Sequence, residues 1–235
     1  MLRMKQNARP KFNYSFMNTN NDELEKIINF DLVYDYVKNQ WGTPLTEKKR
    51  GDITITIVKN EHLPENAYKG VARLKSIYVE YSPSCVIDVQ RLSWLLIHEL
   101  IHLWIGLTIE RKECKSNWCF EGLTNFYSTL VQLELGIIDK EVFDKVINIT
   151  QVKLLDYRNQ SKQDYFDKKD NYIIHKGVHL FYSIYMKYGK KFLDGLIKYL
   201  LNYNLSNRIS NRKLINMLYS KISDVDILKM LEDLT

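Results

Sequence analysis

Apolar positions along this chain keep three different rhythms. Between Asp22 and Gln40, Leu24, Ile27, Ile28, Leu32 and Tyr36 recur three and four residues apart, the spacing of one helix face, and Gly42 with Pro44 ends the run. Ile53, Ile55 and Ile57 then alternate with Thr54, Thr56 and Val58, so period two and β-branching both predict a strand. A second strand is expected over Leu74 to Tyr81, after Gly70. From Asp88 to Gly106 the chain is apolar on nearly every side, as in a helix buried in the middle of a domain. Beyond a polar connection, Ile109 to Asn117, helical patterns return at Trp118–Leu135, Lys140–Leu155, Lys176–Lys187, Lys191–Leu201, Asn211–Lys221 and Val225–Leu234. Ser223 and Asp226 resemble a capping box before the last of these. The charged stretch Asn159–Asn171 reads as a surface loop.

Strands in front and helices behind predict the α+β class. A single domain is expected over 1–235, with an N-terminal α/β lobe over about 1–108 and a mainly helical C-terminal lobe over about 109–235. All four prolines fall at or before Pro83, in keeping with that division. With 235 residues, 45% of them apolar, the chain can bury a core without disulfides and is too apolar to stay disordered. The net charge of +6 comes from Lys and Arg spread from Arg3 to Lys229 among acids, which argues against nucleic-acid binding. Leu92–Leu107, the most apolar segment, is too short to span a bilayer and contains three ionisable residues, so no membrane helix is expected. Met1–Tyr14 has no secretory pattern, and Cys85, Cys114 and Cys119 form an odd, unpatterned set. Reduced thiols and a cytoplasmic location are the expectation.

The ionisable residues of that apolar segment are His98-Glu99-Leu100-Ile101-His102, in the middle of the expected helix. Residues four apart on a helix differ by about 40° in direction, so both imidazoles leave one face and can share one metal ion. A zinc ion held by neutral imidazoles lowers the pKa of its water toward about 7, and Glu99 beside it can take the proton. The alternative is a set of hydrogen-bonded core residues, at the cost of burying two imidazoles and a carboxylate in an apolar helix. Catalytic zinc needs a third protein ligand, and Glu121, in Trp118-Cys119-Phe120-Glu121-Gly122 near the start of the next helix, is the candidate. A solvated first-turn carboxylate is the other reading of Glu121, and its apolar neighbours Phe120, Leu123 and Phe126 weigh against it. Asn125, one turn on, is either a ligand-orienting hydrogen-bond partner for a histidine or a simple helix-surface residue.

HELIHLWIG followed by WCFEG, with 18 residues between His102 and Glu121, resembles the zinc signature of the gluzincin metallopeptidases of the aminopeptidase N family. Trp104, Gly106, Trp118 and Gly122 fall where that pattern has the same residues, and the similarity covers about 30 residues, His98 to Tyr127. The glycyl aminopeptidase group and stand-alone peptidase MA-like domains share the motif more loosely. The resemblance implies a zincin (thermolysin-like) catalytic domain, with a small mixed β-sheet and the active-site helix in its N-terminal part. It further implies one zinc ion held by His98, His102 and Glu121, with Glu99 as general base. The chain departs from the family in two ways. Nothing matches the upstream Gly-Ala-Met-Glu-Asn type segment whose acid holds a substrate's free amine, so exopeptidase action is not implied. The family's oxyanion-stabilising Tyr lies two residues before a Lys-Gly pair, and here Ile174 fills that slot before Lys176-Gly177. His175 and Tyr172 are the nearby donors, with His175 favoured. His179, one turn further, reads either as a structural or surface residue or as half of a second metal pair with His175.

The function expected from these residues is a zinc metallopeptidase acting on a peptide or protein substrate, endo or exo, with no nucleic-acid or membrane partner. One alternative is a catalytically impaired gluzincin-like module that holds zinc and peptide. Another is an interaction protein whose basic surface meets an acidic partner. The strand Ile77–Tyr81 is expected to offer its edge to an extended peptide.

Overall fold

The computed structural model describes residues 10–17, 29–44, 52–65, 67–82, 89–109, 118–158, 162–203 and 211–234. It is mixed α+β, with one small sheet and helices, and the chain divides into two compact units, Met1–Thr108 and Ile109–Thr235.

The first unit holds strands β1 (Phe12–Met17), β2 (Ile53–Lys59), β3 (Tyr68–Arg73) and β4 (Ser76–Tyr81), in the order β1-β2-β4-β3. Strand β2 runs parallel to both neighbours, while β3 is antiparallel to β4 across the turn at Leu74 and Lys75. The β2–β4 register pairs Ile55 with Ile77 and Ile57 with Val79, all buried, so the predicted alternation of β2 becomes one apolar face of the sheet. The second predicted strand begins two residues late, because Leu74 and Lys75 make the turn. It is also an interior strand, flanked by β2 and β3, so Ile77–Tyr81 has no edge to offer a peptide. Strands β1 and β3 were not among the expected elements: β1 is largely exposed, although Phe12, Tyr14 and Phe16 alternate with Asn13 and Ser15, and β3 is interrupted by Gly70.

Helix α1 (Phe30–Trp41) opens at Asn29, whose side chain accepts from the Leu32 N–H at 3.0 Å, and closes at Gly42 with φ +88°. Its inward stripe is Phe30, Val33, Tyr34, Val37 and Trp41; Leu32, expected inside, is 52% exposed. Aromatic area decides the helix's rotation: Phe30 lies 5.8 Å from Phe12 and Tyr34 lies 5.2 Å from Trp104, ring to ring. Leu24, Ile27 and Ile28 lie outside the described residues.

Helix α2 (Val89–Ile101) buries Leu92, Leu96, Ile97 and Leu100. Its backbone continues for one more turn to a Schellman closure, in which Gly106 takes φ +111° and the Leu107 N–H donates to the His102 carbonyl at 3.1 Å. The histidine pentapeptide therefore occupies the C-terminal end of the helix and not its middle. Trp104 anchors this end, buried and donating through Nε1 to the Gly42 carbonyl at 2.7 Å.

The second unit holds α3 (Trp118–Glu134), α4 (Lys140–Arg158), α5 (Lys162–Tyr188), α6 (Lys190–Tyr203), α7 (Asn211–Tyr219) and α8 (Val225–Glu232). Helices α3, α4, α6 and α8 all pack on the long α5. The loop expected over Asn159–Asn171 is absent from residue 162 onward, where the chain forms the opening turns of α5. The charged residues there do not prevent a helix, since Lys and Gln are good helix formers. Helix α8 is capped by Asp224, whose carboxylate accepts from the N–H groups of Asp226 and Ile227, and not by Ser223, whose own N–H goes to the Tyr188 hydroxyl. Cys119 is buried and forms no disulfide among the described residues, while Cys85 and Cys114 lie outside them. No helix among the described residues is long and apolar enough to cross a membrane.

Candidate metal centre

The end of α2 determines how its histidines are presented. The Nδ1 of His102 lies 2.9 Å from the Ile105 carbonyl, inside the Schellman turn. A carbonyl only accepts, so this nitrogen carries the proton and the lone pair sits on Nε2. That Nε2 is 2.9 Å from the Nε2 of His98, and the two rings meet edge to face with centroids 4.5 Å apart. His98 is buried, with Trp94 tilted against its ring at 5.2 Å.

Ligand atoms of His98, His102 and Glu121 all lie within 4.8 Å of one another. Two imidazoles and a carboxylate match the donor set of a catalytic zinc site that keeps a position open. A tetrahedral ion with bonds of about 2.0–2.1 Å holds its ligand atoms about 3.3–3.4 Å apart. The separations found here, from 2.9 Å between the imidazoles to 4.8 Å at most, bracket that spacing. The residues fit a zinc ion.

Glu99 is buried, and its carboxylate lies against Gly70 of β3: a Cβ built on Gly70 would stand 2.3 Å from Oε1. Only glycine leaves the room that the carboxylate occupies. In the sequence Gly70 marks only the boundary before an expected strand, whereas it lies inside β3, where a lone glycine is the usual sign of a close approach.

Helix α3 carries Glu121 in its first turn and is seated by two other glycines. A Cβ on Gly122 would stand 2.7 Å from the Gly177 Cα, and one on Gly177 would stand 2.1 Å from the Trp118 carbonyl oxygen. Backbone therefore meets backbone one residue from Glu121. Trp118 is fully buried and stacks on Phe181 at 6.3 Å, so Trp104 and Trp118 are both core anchors. The side-chain oxygen of Asn125 is buried without a hydrogen-bond partner among the described residues. The orienting contact on His102 comes instead from the Ile105 carbonyl, a backbone group that no side-chain motif reveals.

Tyr172, His175 and His179 lie about 140–160° around α5 from Gly177, on the face turned away from α3. The His179 Nδ1 is 3.4 Å from the Gln151 amide nitrogen on α4, and Lys176 sits over the Tyr172 ring at 5.0 Å. Tyr172 and His179 line a cavity of about 130 Å³ with Leu154, Lys176, Met230 and Asp233. Burial, with the Lys153 charge added, lowers the His175 pKa to about 4, and burial lowers that of His179 as well. The pair His175 and His179 joins no group of three possible metal ligands among the described residues.

No family model and no curated protein matches this chain. Solved structures do. An aminopeptidase N family protein from Idiomarina loihiensis superposes over 94% of this chain and 44% of its own, at 17% identity and a TM-score of 0.69. A mutant M1 zinc metallopeptidase from Deinococcus radiodurans, bound to a Tyr-Ser-Ala substrate, matches over 92% of this chain at 13% identity and a TM-score of 0.61. A second structure of the M1 zinc metallopeptidase from that organism matches at a TM-score of 0.54. The fold is similar to that of M1 peptidases. The chain spans less than half the length of these relatives, 44% in each case.

Proposed function

We propose that this chain is a zinc-dependent metallopeptidase, and the observation that carries the proposal is the convergence of His98, His102 and Glu121 ligand atoms within 4.8 Å. The two imidazoles would hold the ion through Nε2, and Glu121 through a carboxylate oxygen. A bound zinc ion supplies a Lewis acid for the scissile carbonyl and an acidified water. Glu99, next in sequence to His98 and seated on Gly70, would accept the attacking water's proton on its carboxylate and pass it to the leaving amine nitrogen. The M1 neighbours, one of them carrying a Tyr-Ser-Ala substrate, support a peptide as the thing cleaved.

The second reading, a module that binds zinc and peptide but turns over poorly, is favoured by Ile174, which fills the slot two residues before Lys176-Gly177. One experiment separates the two. Metal analysis of Glu99→Gln is expected to find one zinc per chain, as in the wild type, while cleavage of a mixed peptide library falls by about 10²- to 10⁴-fold. Equal cleavage by the two proteins removes Glu99 as base. A wild-type chain that binds zinc and peptide but cleaves none of the library selects the second reading.

A further inference from the structure

From Leu92 to Ile101 helix α2 is buried at every residue except Trp94, which is half-buried. Ser93 and Leu95 on either side of it are buried, while the largest apolar side chain of the helix stays partly open. Burial alone gives no reason for that arrangement. The reason lies one turn further on.

Trp94 precedes His98 by four residues, and His98 precedes His102 by four, so the three side chains step around one face of the helix by about 40° each. The bond from the His102 N–H to the His98 carbonyl, 3.2 Å, keeps this spacing to the end of the run. Helical side chains lean back over the preceding turn, which brings the His98 imidazole onto the indole of Trp94. The two rings meet with centroids 5.2 Å apart and planes tilted by 34°.

The two histidines are therefore oriented by different means. The His102 Nδ1 is held at 2.9 Å from the Ile105 carbonyl, and Gly106 leaves that nitrogen room, since a Cβ there would stand 3.3 Å from it. For His98 the orienting contact is a flat aromatic face. Rotation of an imidazole about its Cβ–Cγ bond is soft, and a ring lying against one face narrows it. The atom whose direction is at stake is Nε2, which stands 2.9 Å from the Nε2 of His102.

We infer that Trp94 is a positioning residue, whose indole holds the His98 imidazole with Nε2 aimed at the shared ion and so raises metal affinity through the ring and not by ligation. This rests on the zinc reading above. Aromatic pairs of this geometry shift an equilibrium by about twofold to tenfold beyond what burial contributes.

The test measures zinc affinity of the full chain, stripped by chelation and titrated against a chromophoric competitor, for wild type, Trp94→Leu and Trp94→Phe. Leucine keeps an apolar side chain and removes the flat face, whereas phenylalanine keeps both. Trp94→Leu is expected to bind zinc about threefold to tenfold more weakly, and Trp94→Phe to return to within about twofold of wild type. Cobalt(II) supplies a second readout, because its visible absorption reports coordination geometry. The spectrum is expected to change in Trp94→Leu and to be restored in Trp94→Phe. Trp94→Met, also without a ring and also a good helix former, makes the same comparison if the leucine variant does not fold. Ring-less and phenylalanine variants that bind zinc alike, whether as tightly as wild type or equally weakened, overturn the inference and leave the zinc reading standing. A wild-type chain that takes up no zinc overturns both.

Discussion

Single atoms decide most of what this candidate site can do. Gly70 is the clearest case, because its missing Cβ is the space in which the Glu99 carboxylate sits. Gly70→Ala is expected to keep zinc while lowering peptide turnover by about 10²-fold, the usual result of moving a reacting group by an ångström. Metal content and kcat measured on one preparation check both halves of that statement. His175 bears on stability instead. Its pKa is held near 4 in the fold against 6.5 when free, chiefly by burial and then by Lys153. Between these values the unfolded chain binds the extra proton, so stability is full above about pH 6.5 and is lost as the pH falls toward 4. Urea melts of His175→Asn should show a flatter decline across that window. Turnover of the same variant tests the oxyanion role: a lost donor costs about 10²- to 10³-fold, and a loss below tenfold removes His175 from that role.

Among the elements, the crossing of α3 and α5 is the least tolerant of change. Gly177→Ala would put a methyl group 2.1 Å from the Trp118 carbonyl, so one helix must move. Overpacking of this kind costs about 1–3 kcal/mol, and a thermal melt is expected to show the drop as several degrees. How far these elements were readable from the sequence follows from how local their causes are. Helices α3 and α4, strand β2 and the histidine pair announce themselves through spacing within one element. The rotation of α1 did not, since it depends on Phe12 and Trp104, which are distant in sequence. The start of α5 was missed because its charges speak of solvent and not of backbone shape. The interior position of β4 depends on strand order, which no periodicity encodes. The pattern named the metal-ligand candidates but not their support, because Ile105 and Gly70 act through a carbonyl and through a missing atom.

For the molecule as a whole, the metal reading makes a thermodynamic demand. An ion that binds the folded chain and not the unfolded one stabilises it by about 4 kcal/mol at a thousandfold excess over Kd. Chelation is therefore expected to lower the melting temperature of the wild type clearly, and that of His102→Ala far less. Equal melting curves with and without chelator would mean that the native chain holds no ion. The contact between Gly122 and Gly177 bears on the same question. Two glycines have no rotamers, so this junction has no side-chain disorder to lose when a ligand arrives. The backbone of Glu121 stands one residue away, so what its carboxylate has left to lose on capturing a cation is the freedom of its own side chain.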